Sequence, residues 1–233
     1  MITHASAQGI GTRSHQCDAV ASANNQSARA WALLDGIGSS TAVQDWTRGN
    51  ARLLARIAAR TGSAQAAIAD VRATTDFDGH QDDRGDPPSA VAVVAVRTGN
   101  GALDVAWCGD ARAYWIPRGG KLQQLTRDHN WAEEQRSRGI TDFPRWHRNI
   151  VTSSLRRYDG EFGDVGTTHV RGGGRLLLCS DGVYSPFEDN GAELGPPLGG
   201  GAPHEAARAL VRSALAFPAE RHDNATALVA DFG

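Results

Sequence analysis

The sequence predicts an α+β protein in which helices lie on layered, mainly antiparallel sheets. Two observations predict it. Short apolar or β-branched runs dominate the chain, and the helical stretches come in a block after the second run and again near the C-terminus, rather than after every strand. The strand-like runs cover residues 2–7, 28–34, 90–96, 103–108, 113–117, 167–170, 175–179 and 226–232. Residues 41–60 place Val43, Trp46, Leu53, Leu54 and Ile57 at helical spacing. Residues 63–72 follow Gly62 as a second helix, with Ser63 as its N-cap. Residues 203–217 form a third, opened by Pro203 and closed before Pro218. Trp31, Trp46, Trp107 and Trp115 sit among apolar neighbours and read as core.

Two segments read as irregular. Residues 76–88 form an acidic connector whose spacing misses that of a calcium loop, with no closing glutamate at the twelfth position. Residues 130–166 are polar and arginine-rich, with helical pieces expected near 131–137 and 148–155, and suit a flap facing substrate. The whole chain, 1–233, reads as one domain with that flap inserted.

Composition excludes several classes of function. Lys and Arg number 24 against 26 Asp and Glu, for a net charge of −2, so no basic field points to nucleic acid or to an anionic membrane. The longest apolar run, 90–96, is too short to span a bilayer, and no signal-peptide pattern is visible at the start. Cys17, Cys108 and Cys179 are odd in number and unclustered, which fits reduced thiols in the cytoplasm. Neither a CxxC nor an HxxxH spacing offers a zinc site. A monomer is the default expectation.

The informative feature is a set of aspartates at the edges of apolar runs, beside glycine or asparagine: Asp35-Gly36, Gly109-Asp110, Asp181-Gly182 and Asp223-Asn224, with Asp18 after Arg13. Carboxylates at strand ends are costly to bury unless a cation neutralises them. Oxygen ligands drawn from distant segments suit Mg²⁺ or Mn²⁺, hard ions that take carboxylate, carbonyl and water. The residues thus read as a metal hydrolase. No serine elbow of the Gly-x-Ser-x-Gly kind offers a protein nucleophile.

Six motifs in order, Arg13-Ser-His-Gln-Cys-Asp18, Asp35-Gly-Ile-Gly38, Gly109-Asp-Ala-Arg-Ala-Tyr114, Leu125-Thr-Arg-Asp-His129, Cys179-Ser-Asp-Gly-Val183 and Asp223-Asn-Ala-Thr226, resemble the metal-dependent serine/threonine protein phosphatases of type 2C. The resemblance spans about residues 2–232 and implies a four-layer αββα sandwich with a metal cleft at one end of the sheets. It also implies hydrolysis of phosphoserine and phosphothreonine in proteins by water activated between two Mn²⁺ or Mg²⁺ ions. Asp35 would bridge the ions, the Gly36 carbonyl would bind the second, and Asp181 and Asp223 would bind the first. Asp18 would order water, Asp110 would help hold a third, weaker ion with Asp181, and Arg13 would grip the substrate phosphate. Substrates would be phosphoproteins, with a serine/threonine kinase as the biological counterpart. Taken alone, Asp35, Asp181 and Asp223 read equally as turn residues or caps, Asp110 equally as a partner for Arg112, and Asp18 less readily as a surface turn residue. Arg112 reads as a brace for its hairpin and Asn224 as an orienting group beside Asp223.

Three departures from the family pattern stand out. Cys17 replaces a glutamate or glutamine, Ile37 stands where some relatives carry a proton-donating histidine, and Ser39 replaces a glycine. They leave open a weakly active docking module, and a phosphohydrolase of small metabolites is a further alternative. His80, His129, His147 and His222 read as structural or surface residues, with His222 nearest the centre.

Overall fold

In the computed structural model, residues 1–75, 81, 85–156 and 163–233 are described. Most of the acidic connector 76–88, including His80, and part of the 130–166 flap lie outside the described residues. One sheet runs in the order β1 (Ile2–Gly9), β10 (Ala225–Phe232), β9 (Gly174–Cys179), β6 (Arg112–Pro117) and β7 (Gln123–Gln124). The other runs β2 (Ala19–Asn24), β3 (Ala28–Ile37), β4 (Ser89–Thr98), β5 (Ala102–Cys108) and β8 (Gly166–Arg171). Every pairing is antiparallel.

The central strands are apolar on both faces because both faces are covered. In β4, Val91, Val93 and Ala95 point between the sheets, while Ala90, Ala92, Val94 and Val96 meet helices α1 (Thr41–Thr61) and α2 (Ala64–Thr75). In β9, Leu176 and Leu178 point inward and Leu177 and Cys179 outward. The outward set packs under α4 (Asp181–Asp189), α5 (Gly195–Gly199) and α6 (Pro203–Ala216). Successive side chains on a strand alternate between faces, so each central strand feeds two of three stacked apolar layers. The result is the expected αββα sandwich. The four tryptophans expected in the core are all buried.

Local chemistry places the helix ends. The Ser40 hydroxyl accepts from the Val43 amide at 3.3 Å at the start of α1, and Gly62, in the left-handed region at φ 69°, ends it with its amide on the Ala58 carbonyl. Ser63 caps α2 as expected, its hydroxyl accepting from Ala66 at 3.2 Å. Asp104 also accepts from the Ala64 amide and so ties α2 to β5.

Part of the flap departs from expectation. Its first helix, α3 (Trp131–Ser137), forms where predicted and is capped by Asn130. The helix expected near 148–155 does not form. A 3₁₀ turn covers Arg145–Asn149, and the chain then runs extended, with Val151 bridged to Asn130. Its polar groups are engaged across the chain: Thr152 donates to the His129 carbonyl and Leu155 to that of Ala90, which leaves no i−4 pattern to build on. Arg72 fastens the same stretch, donating to the Ser153 hydroxyl at 2.8 Å and the Ser154 carbonyl at 3.1 Å.

Candidate active site

The sheets end together at one edge of the sandwich, and the aspartates sit at these ends. Asp18 immediately precedes β2, where Ala19 pairs with Leu34. Asp35 therefore lies next along β3, opposite Val91 of β4. Asp110 occupies the corner at which the chain leaves β5 for β6, crossing from one sheet to the other. Asp181 is the first residue of α4 after β9, and Asp223 lies two residues before β10. Strand register and the connections at the strand ends thus carry five carboxylates from five segments to one edge.

Two glycines permit the close approach. A Cβ on Gly36 would stand 2.7 Å from the Cys17 carbonyl oxygen, 2.8 Å from Val43 Cγ1 and 2.9 Å from Cys17 Cβ. At Gly109, φ is +94° and a Cβ would overlap the Val91 side chain at 2.1 Å.

Burial and mutual repulsion act on these carboxylates together. Burial pushes the Asp35 carboxyl well above its usual range, and the charges that raise it further are Asp18, Asp181, Asp110 and Asp223, the other four of the set. Asp18 is pushed up to about 7, first by burial and then by Asp181 and Asp223, although hydrogen bonds from Ser180 and Thr226 oppose the shift. Asp110 and Asp181 are raised in the same way, by burial first and by neighbouring aspartates next. Such a set is short of positive charge.

The nearest cation at the edge is Arg13, whose guanidinium donates to Asp223 at 2.5 Å with both groups substantially exposed. Hydrogen bonding to Asp223 raises the Arg13 pKa, burial opposes it, and Asp223, Asp181 and Asp35 add to the rise. Among the described residues no three His, Cys, Asp or Glu side chains are drawn to a single point. Asp181 and Asp223 line an open cleft, whereas Asp18 and Asp110 are buried. Oxygen-only donors, mutual repulsion and half-open geometry fit hard divalent cations such as Mg²⁺ or Mn²⁺. They do not fit zinc, which prefers nitrogen and sulfur.

The loop bearing Arg13 and Asp18 is pinned by Asn224. Its Oδ1 accepts from the Cys17 amide at 2.7 Å, and its Nδ2 donates to the Ile10 carbonyl at 2.9 Å. Asn224 therefore orients more than its own strand. Ser180, which sequence reasoning passed over, is fully buried, donates to Asp18 at 2.7 Å and accepts from the Thr226 amide at 3.0 Å. Its signal was only its place before Asp181. Arg112 does not pair with Asp110. It grips Asp128 through two 2.8 Å bonds, pairs with Glu188 and lies over the Tyr184 ring, and so braces the hairpin as expected. Cys17 is buried, its thiol near the Ser40 carbonyl, and Ile37 packs against the core between the sheets. His129 is structural, stacked on Trp107.

A cleft of about 880 Å³ opens over Asp181 and Asp223 and is bordered by Arg13, Ser14, Ser39 and Arg148. The flap reaches it through Arg148, held to Asp189 of α4 by two bonds of 2.6 and 2.7 Å.

A layered sandwich with strand-end carboxylates and an arginine above them defines a metal-dependent phosphoester hydrolase. The sequence matches the description Protein phosphatase 2C over residues 6–148, and the chain belongs to that family. It is accordingly a metal-dependent protein serine/threonine phosphatase acting on phosphoproteins. The chain is similar to the S. agalactiae serine/threonine phosphatase, with 19% identity, 99% of each chain covered and a TM-score of 0.81. It is also similar to PppA, a regulatory component of T6SS in Pseudomonas aeruginosa, with 26% identity, 99% and 98% coverage and a TM-score of 0.73. A third similar structure is the catalytic domain of PstP in complex with two manganese ions, at 23% identity, 99% and 97% coverage and a TM-score of 0.68. No curated protein sequence matches the chain. Among the described residues no helix is long and apolar enough to cross a membrane.

Proposed function

We propose that Asp35, the Gly36 carbonyl, Asp181 and Asp223 hold two divalent cations, Mn²⁺ or Mg²⁺, for hydrolysis of phosphoserine and phosphothreonine, with Asp110 and Asp181 offering a third, weaker site. When bound, such a pair supplies activated water at neutral pH and offsets charge on the transferring phosphoryl group. The chain's own residues do the rest. Asp18, held by Ser180, orients solvent beside the ligands. Arg13 exchanges Asp223 for two phosphate oxygens and so fixes the phosphoryl group above the carboxylates. The open cleft and the flap admit an extended peptide rather than enclosing a small metabolite. A serine/threonine kinase would be the opposing enzyme, and three unpaired buried thiols support a cytoplasmic setting. Every group named belongs to one chain, so a monomer suffices.

The observation that supports this reading is that Asp18, Asp35, Asp110, Asp181 and Asp223 all stand at or beside strand ends on one edge of the sandwich. It is tested by phosphate release from phosphoserine and phosphothreonine peptides with Mn²⁺, Mg²⁺ or chelator, together with a count of bound metal. Two tight ions per chain, with turnover that falls at least about 10³-fold in Asp35→Asn, are expected. Turnover indifferent to chelator would refute it.

A further inference from the structure

Cleavage of a phosphoserine or phosphothreonine ester expels an alkoxide, which needs a proton as it leaves. Ile37, after Asp35-Gly36, lies against the core and has none to give. Beside the cleft, four polar groups form a row. The Ser39 hydroxyl lies 3.2 Å from that of Ser14, Ser14 Oγ lies 2.9 Å from His15 Nδ1, and His15 Nε2 lies 3.2 Å from the Thr41 hydroxyl. Ser14 and Ser39 border the same cleft as Arg13, Asp181 and Asp223, whereas His15 stands behind them, half-buried. Hydroxyls both donate and accept, so Ser14 and Thr41 satisfy the imidazole whether it carries one proton or two.

Resting on the phosphatase reading above, we propose that Ser14 delivers the proton to the departing serine or threonine oxygen and that His15 resupplies it. As the phosphorus–oxygen bond breaks, the alkoxide takes the Ser14 proton, and Ser14 Oγ takes the proton on His15 Nδ1. Neutral His15 then recovers a proton from solvent. Ser14 is the group that meets the substrate; His15 is a positioning residue acting through it, and Thr41 fixes the ring. His222 also borders the cleft, but among the described residues its ring has no hydrogen-bond partner to relay through.

The test compares leaving groups. p-Nitrophenolate leaves without protonation and a serine alkoxide does not, so the ratio of kcat on a phosphoserine peptide to kcat on p-nitrophenyl phosphate isolates the proton. His15→Gln, which retains hydrogen bonding, and Ser14→Ala are each expected to lower that ratio about thirtyfold or more, through kcat and not KM. The exposed control His204→Gln is expected to leave it unchanged. In the metal-free protein, Ser14→Ala should also move the His15 Nδ1 resonance in imidazole-selective NMR. Equal losses on both substrates, no loss on either, the selective loss appearing in His222→Gln instead, or an unmoved Nδ1 resonance would overturn the proposal. Absence of metal-dependent p-nitrophenyl phosphate turnover in the unsubstituted protein would instead bring down the phosphatase reading itself.

Discussion

At the scale of single residues, the carboxylates that give the site its chemistry also weaken the metal-free fold. Asp35 is raised by burial and by four like charges, so its ionised form is unfavourable without cations. Asp35→Asn removes one of the repelling charges while keeping shape, and its amide can donate to Asp181. In chelator, this variant should unfold about 2–6 °C higher than the parent, equivalent to ~1–2 kcal/mol. It should also lose the rise in Tm that Mn²⁺ gives the parent. A melting scan with and without Mn²⁺ checks both, and a lower Tm in chelator would contradict the repulsion argument. Gly36 offers the converse case. A Cβ there would press on the Cys17 carbonyl and on Val43, and neither can move freely, because one is backbone and the other lies at the start of α1. Gly36→Ala should cost ~1–3 kcal/mol by overpacking and weaken Mn²⁺ binding by tilting the carbonyl beside Asp35. Urea denaturation and calorimetric titration read the two effects.

At the scale of elements, the links between segments matter more than any one strand. Ser180 joins the end of β9 to Asp18 and to the start of β10 at once. Ser180→Ala leaves the Thr226 amide without that acceptor and frees Asp18, at a cost of ~1–3 kcal/mol for buried groups. Turnover should fall along with stability; unchanged denaturation and activity would show the hydroxyl to be dispensable. Sequence reasoning found the elements with strong patterns. The continuous apolar run of β4 and the helical spacing of α1 were legible because burial on both faces, or on one stripe, writes itself into the residues. β2, with its run Ala19-Val-Ala-Ser-Ala-Asn24, was missed because small residues carry little period. α4 leaves little trace in the sequence because Gly182 and Pro186 disfavour a helix, yet Val183, Tyr184 and Phe187 bury against the sheet and tertiary packing overrides propensity. The helix expected near 148–155 does not form for a related reason, since hydrogen bonds to distant segments of the same chain engage its backbone. The candidate site residues were legible because each carboxylate stands at the end of an apolar run. Their orienting partners were harder to read, because serine and asparagine act through contacts that only the fold creates.

At the scale of the whole molecule, the sandwich brings its buried carboxylates to one edge, which couples stability to pH and to metal. An unfolded aspartate titrates at about 3.9, whereas folded Asp18 is pushed up to about 7 by burial and by Asp181 and Asp223. Between these values the folded protein holds a proton that the unfolded chain has released. Stability of the metal-free protein therefore falls as pH rises through that window, and the full penalty stands above it. Asp35, Asp110 and Asp181 are shifted in the same direction and deepen the fall. Cations that bind the ionised ligands compete with those protons, so they stabilise most where the protons are gone. In chelator, Tm should decline from pH 5 to pH 8. The gain in Tm on adding Mn²⁺ should be larger at pH 8 than at pH 5 by at least about 4 °C, or ~1–2 kcal/mol for a domain of this size. A metal-free protein whose Tm rises across that interval, or an Mn²⁺ gain indifferent to pH, would mean that the carboxylates titrate apart and do not share one site.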